Sequence, residues 1–225
     1  TAKPSDGQTG DHDFDLHGAV LSHPWKGQWD LLYFVERDRT GTAFNNAATS
    51  LIDKRYFDLR YEKREESFFA TAELALGKGK IKPMTSASEI KVDSMAYLLR
   101  LGASTEAKKL GKTEITFTYG AGSGDNAASA DKDEGFFPAF GRRFAGLERT
   151  GFGEFLGATL YDTLASTTTS NGLSSGVSGI GVIGFGGSVS PWYRFKIGFD
   201  YYLFKAQQSP REKGLGSEVD LSSAY

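Results

Sequence analysis

Cationic side chains recur inside stretches that otherwise alternate with apolar residues: Arg60, Arg100, Arg194 and Lys196. Carboxylates occupy equivalent places at Asp58, Glu62, Glu73, Glu114 and Asp200. A guanidinium is a planar fork that grips a carboxylate through two parallel hydrogen bonds. Lined along a low-dielectric wall, such forks concentrate anions. The same residues also fit a ladder of mutual salt bridges that stiffens the wall, and the two roles are compatible. A second group, Arg142, Arg143 and Arg149, follows an acidic tract (Asp131, Asp133, Glu134) and the aromatics Phe136, Phe137 and Phe140.

Other chemistries find little support. There is no cysteine, which removes disulfides, thiolate metal sites and thiol nucleophiles. The three histidines, His12, His17 and His23, all fall in the first 23 residues, and no serine sits in a recognisable nucleophile elbow, so no catalytic residue is assigned. Alternation places His17 with Asp13 and Asp15 on one face and His12 on the other, which reads as a solvated strand end, and no metal site is assigned. Gly179-Ile180-Gly181-Val182-Ile183-Gly184 matches the dinucleotide fingerprint in letters, but its flanks are Ser- and Gly-rich with no helix to follow. No cofactor is expected. With 26 basic and 28 acidic residues the net charge is −2, which argues against a nucleic-acid partner held by a broad basic surface.

The elements that carry these residues have period two. In Tyr56–Glu62, Phe57, Leu59 and Tyr61 oppose Asp58, Arg60 and Glu62. Phe68–Leu76, Ala96–Ser104 and Glu114–Ala121 repeat the rule, and Tyr193–Leu203 is the clearest case, with Tyr193, Phe195, Ile197, Phe199, Tyr201 and Leu203 facing one way. Asp13–Val20 and Glu218–Tyr225 follow it. Trp29–Asp38 follows it in part, because Leu32 and Phe34 fall on the polar side, and Val177–Val189 is too glycine-rich to choose a face. About nine strands result. All six prolines are expected outside them, since proline cannot donate to a ladder. Short connectors near Pro24–Gln28, Arg64–Ser67, Thr105–Lys112 and Ser190–Pro191 alternate with long ones at Gly41–Lys54, Gly77–Ser94 and Ser123–Gly172. Glu154–Leu164 has the pattern of a short helix.

No run reaches the ~18–20 apolar residues of a spanning helix. Short turns alternating with long loops, and a large-aromatic face opposed by charges and glycines, fit a bacterial outer-membrane barrel. Trp25, Trp29, Tyr33, Trp192 and Tyr193, placed near the short turns, would form an interfacial girdle. A soluble β-sandwich alternates in the same way and remains the rival. The fold class expected is all-β, an antiparallel up-and-down transmembrane barrel in one domain. The segment 123–172 is either a pore-mouth insertion with Arg142, Arg143 and Arg149 at a constriction, or an extracellular cap packed on its own phenylalanines.

Lys112–Gly124 (KTEITFTYGAGSG) with Asp125, the Ser123-Gly124-Asp125 step, the Phe136-Phe137-Pro138 segment and Gly214–Leu221 (GLGSEVDL) resemble the alginate-export family of outer-membrane barrels. The likeness covers most of residues 95–225. It implies an outer-membrane channel for passive passage of an anionic solute, a uronate-type saccharide or small organic acid, and not an enzyme. It also implies that the chain is the C-terminal half of a barrel of about eighteen strands, roughly twice this length. Lining residues would be Arg60, Arg100, Arg194, Lys196, Asp58, Glu73 and Asp200. Partners would be the solute, the lipid bilayer and lipopolysaccharide. Read from its own residues, Gly77–Lys82 (GKGKIK) is a basic loop piece whose first reading is a solvated segment, with contact to lipopolysaccharide as the alternative. The alternative is a structural barrel that sheathes or docks a periplasmic or lumenal protein, such as an electron-transfer component.

Overall fold

A computed structural model of the chain describes residues 14–39, 50–83, 88–126, 128–129, 131–136, 177–192, 194–209 and 212–225. Ten strands form one sheet. They are β1 (Phe14–Pro24), β2 (Gln28–Asp38), β3 (Ser50–Arg64), β4 (Phe68–Pro83), β5 (Ile90–Ala107), β6 (Gly111–Gly122), β7 (Lys132–Asp133), β8 (Ser178–Trp192), β9 (Phe195–Gln208) and β10 (Gly214–Ala224). Nine of them make an antiparallel up-and-down meander in chain order. The two-residue β7 lies off this path and pairs parallel to β5. No helix occurs among the described residues, and β1 and β10 are the two edges of an open sheet.

Nine alternating segments were expected, and each overlaps one of the nine long strands, with Asp13 and Tyr193 outside the described residues. Their extents differ. Gly77–Ser94, expected as a long loop, is mostly strand: β4 continues to Pro83 and β5 resumes at Ile90. The reason is an inversion of the two faces. From Phe68 to Leu76 the outward side chains are apolar, and the row Tyr33, Phe57, Leu76, Met95 is the last such row across β2–β5. Beyond it, the outward positions become Arg55, Lys78 and Asp93, then Arg37, Asp53, Lys80 and Lys91. The opposite face changes in the other sense. There Ile52, Ile81 and Val92 pack into a buried cluster. On β8 and β9, Ile180, Val182 and Phe204 do the same, while Lys205 points outward. On β4 and β5 alternation persists with its sign reversed, so the Lys/Gly run reads as loop when one face is assumed to stay apolar. On β2 and β3 the reversal is partial, with Val35 outward and Glu36, Asp38 and Lys54 buried on the inner face.

The apolar band also slants across the ladders. The row through Leu31 runs by Leu59, Leu74, Tyr97, Ala121 and Gly181 to Lys205. On β2 the band centres near Leu31; on β9 it spans Phe195–Leu203 and centres near Phe199, six residues from Lys205 along the strand. A drift of about one residue per strand, at ~3.4 Å rise and ~4.8 Å spacing, corresponds to a slope of about 35°.

Prolines lie closer to the strands than expected. Pro24 and Pro83 end β1 and β4, and Pro191 lies in β8 where the pairing to β9 jumps from Val189 to Trp192. At such an irregularity the missing N–H costs no ladder bond. Among the aromatics, Trp29 stacks on Tyr61 at 4.5 Å and Trp192 on Phe195 at 5.7 Å, beside short turns as expected. Tyr33 does not: it pairs with Phe57, 4.8 Å between rings, at the far margin of the band.

Glycines on β8 permit close approaches of differing severity. Gly179 has φ +65°, and a Cβ there would meet the backbone of Gly122, Ser123 and Gly124. A Cβ on Gly181 would meet only the far end of Gln207 and ordinary neighbours. Gly179→Ala therefore lowers unfolding stability by about 1–3 kcal/mol, and Gly181→Ala by clearly less. Urea unfolding of the two variants, followed by gel migration of unheated samples, checks the ordering.

Candidate functional site

The polar face holds the residues whose chemistry matters. On β3, Arg60, Glu62 and Arg64 follow one another at alternate positions. Arg60 lies directly across from Glu73 of β4, and Thr71 across from Arg100 of β5. These side chains, with Phe69, Leu98, Glu114 and Thr116, line a concavity of about 470 Å³. Arg60 donates to Glu62 at 2.5 Å. Asp58 and Glu73 are diagonal neighbours on β3 and β4, and Asp58 Oδ1 is buried without a hydrogen-bond partner. Arg64 rests over the Phe69 ring, 5.1 Å from its centroid.

Asp200, on β9, interacts electrostatically with Arg100 and Lys196. Arg100 is three strands away, and the intervening polar-face positions of β8 are Gly184 and Gly186. A Cβ on Gly186 would collide with the Asp200 carboxylate, and one on Gly184 with the Tyr202 ring. The glycine run that spells a nucleotide fingerprint is thus strand. Its bare face is covered by side chains of β9.

Arg60, Arg100, Asp58, Glu73, Asp200 and Lys196 all fall on this face. Arg194 does not sit within a strand: it occupies the β8–β9 turn with φ 73°. Arg142, Arg143, Arg149, His12, Phe137-Pro138 and the Glu154–Leu164 helix lie outside the described residues. Sequence reasoning did not single out Arg64, although alternation from Arg60 and Glu62 points to it. It also missed Glu218 and Asp220, which stand opposite Tyr202 and Asp200 on the same face. Counting these, carboxylates outnumber cations on the described polar face. The wall is a mixed ladder with a local group of guanidiniums, not a uniformly positive surface. Among the described residues no cluster of three His, Asp or Glu is arranged to hold a metal.

The exit from β6 organises the start of the long segment. Past Gly122, β6 leaves the free edge of β5, and the chain returns to fill it: Lys91 and Val92 pair with Lys132 and Asp133. Ser123 is the clasp. Its Oγ donates to the Glu134 carbonyl at 2.6 Å and accepts from Met95 N at 2.9 Å, and its carbonyl accepts from Phe136 N at 2.9 Å. Asp125 N donates to Ser178 Oγ at 2.6 Å, and Asp125 Oδ1 accepts from Glu134 N at 3.1 Å. Phe136 is then buried on the polar face, against Ala96 and Ala75. The Ser-Gly-Asp step works as a joint that turns residues 131–136 onto the wall. Beside it, Tyr56 Oη donates to Glu36 at 3.1 Å, and Glu36 pairs across from Lys54.

A scan of the chain against protein-family models gives no match, and a search of curated proteins gives none either.

Asp133 lies at the joint, beyond the apolar band, and accepts from Gly135 N at 3.0 Å. Burial pushes its carboxyl above the usual range, with Lys54 partly opposing. A carboxyl raised on folding binds its proton more tightly when docked. The docked joint is therefore favoured below the ordinary Asp value, near 4, and loses stability as pH rises towards the raised value. Hydrogen exchange at the Phe136 amide, corrected for intrinsic rate, should lose protection over that window. Asp133→Asn, which keeps the acceptor and removes the charge, should flatten the dependence.

Proposed function

We propose that this chain forms part of the wall of an outer-membrane channel, through which a hydrophilic solute bearing acidic groups passes down its gradient. The observation that carries the reading is the inversion of face polarity at one margin of the apolar band. In a water-soluble sandwich the buried face stays the same along a strand unless a bulge or bend breaks it, and the pairing of β3, β4 and β5 carries no such irregularity. Here the outward face is apolar over a limited height, with Leu31, Phe57, Ile115, Phe185, Phe199 and Leu221 between 45% and 79% exposed. Beyond that height it becomes charged on β3–β5, and on β3–β5, β8 and β9 apolar residues occupy the other side, where β2 and β3 add the buried Glu36, Asp38 and Lys54. A hydrocarbon slab bounded by water asks for this arrangement.

Two further features support it. The slope of the band, about 35°, matches strands tilted ~35–45° across a slab of fixed height. A charged side chain facing lipid costs ~2–4 kcal/mol, and the charges within the band's height keep to the opposite face except Lys63, which stands opposite Ala70 near the short-turn margin and pairs with Glu65 of the turn at 2.7 Å. Among the described residues no second sheet covers the apolar one, and an uncovered patch of this size in water invites aggregation.

The polar face then borders water. Arg64, Arg60 and Arg100 offer forks for carboxylates, and Lys196 continues the line toward β9. Their neighbours Glu62, Glu73 and Glu114 weaken each site. Conduction needs several weak sites, because a tight one would hold the solute. Selectivity on this reading comes from where the guanidiniums stand, since the wall as a whole is not cationic. Phe136 and the joint at 123–136 narrow one end.

Planar-bilayer recording from the full-length protein under a salt gradient tests the proposal. The expected result is conductance with a reversal potential on the anion side, moved several-fold toward cations in permeability ratio by Arg60→Gln with Arg100→Gln. Cation preference in the unmodified protein removes the anionic solute. Correct insertion without conductance removes the channel and leaves the sheath that docks a partner protein.

A further inference from the structure

The charged positions just beyond the apolar band serve no purpose in a conducting path, because they point away from it. On β3–β5 the outward face there carries Arg55, Lys78, Lys80, Lys82 and Lys91. Lys78, Lys80 and Lys82 stand at alternate positions of one strand, about 7 Å apart. Arg55 flanks Lys78, and Lys91 flanks Lys80, on the neighbouring strands at ~4.8 Å. The result is a cationic grid on a rigid sheet, where loops would leave such charges loose.

Three carboxylates answer it in part. Asp93 pairs with Lys78, Glu89 with Lys80 at 2.7 Å, and Asp53 with Arg37 at 3.9 Å. The Lys80 ammonium beside Glu89 holds its carboxyl below the usual range. Among the described residues, no ion pair takes up Arg55, Lys82 or Lys91. The lysine ends remain open, with the Lys78 and Lys80 side chains 56% and 63% exposed. Directly below the grid, on the same face, lie Phe57, Leu76 and Met95.

We infer that this grid binds the phosphates of an anionic glycolipid of the surrounding leaflet, a phosphorylated, multiply acylated saccharide whose chains lie along Phe57, Leu76 and Met95. A soluble anion would use the lysines and not the apolar row. A neutral lipid would use the apolar row and not the lysines. A ligand with both parts joined at a polar–apolar boundary uses the continuous surface, and basic clusters at such boundaries attract anionic headgroups. The inference rests on the membrane reading above, since it needs the band to mark the edge of the hydrocarbon.

The test uses the full-length protein in a mild non-ionic detergent, titrated with bis-phosphorylated lipid A and, separately, with the same lipid stripped of phosphate. Bound lipid is counted by native mass spectrometry. The phosphorylated form should bind at least tenfold more tightly, and less so as salt rises. Lys80→Gln with Lys82→Gln should reduce its binding fivefold or more. Lys108→Gln with Lys109→Gln, an equal charge change in the β5–β6 turn at the other end of the strands, should leave it unchanged. Equal binding of the two lipids, or no loss in the Lys80/Lys82 variant, overturns the assignment while leaving the channel intact. Purification without detergent, with no heat-modifiable gel migration, overturns the membrane reading and the grid together.

Discussion

Every strand here must satisfy its backbone sideways, against its neighbours, and that single requirement spaces all the side chains at two residues per face. Once the register of one pair is set, the faces of the next are set too. From β1 to β10 the pairing holds with only local breaks, at Gly111, Val189 and Gly214. Each outward residue is thereby a neighbour of outward residues on both sides, so a band of apolar side chains on one strand becomes a band across the sheet. A one-residue slip of β3 would carry Arg60 to the apolar side and Phe57 to the polar one, and a slip of β5 would do the same to Arg100 and Leu101.

The consequence for electrostatics is that charges are collected, not scattered. Arg60, Glu62, Arg64, Glu73, Arg100 and Glu114 belong to four strands, yet the ladders bring them round one concavity. Glycine extends their reach. With no side chains at Gly184 and Gly186, Asp200 lies low over β8 and acts on Arg100 beyond it. Beyond the apolar band the same ladder sorts charge the other way, and lysines face out while Ile52, Ile81 and Val92 close the inside. One periodicity therefore produces two surfaces of opposite character, stacked along the same strands.

The joint at Ser123–Asp125 shows how a loop is given a fixed start. Short polar side chains bond neighbouring backbone readily, and here Ser123 and Asp125 bind both the departing strand's neighbour and the returning chain. Filling the edge that β6 vacates removes an exposed ladder and directs Phe136 onto the wall. Nothing in the local pattern of Lys132–Asp133 signals a strand. Its two residues are extended because β5 has unpaired groups to offer.

What could be read without coordinates followed from period two alone: strands, short turns, which side was polar on all strands but the mixed Trp29–Asp38 and the glycine-rich Val177–Val189, and that Arg60, Arg100 and Asp200 lay on polar faces. Alternation is local, and any five or six residues display it. Three things were beyond it. The extension of β4 and β5 through Lys78–Lys82 was hidden because the sense of alternation reverses there, and a reversal has meaning only against neighbouring strands. The grouping of Arg64 with Glu114 depends on pair registers, which relate residues fifty apart. The slope of the apolar band exists only across seven strands at once. Local chemistry decides what each residue prefers beside it; the ladder decides which distant residues stand there.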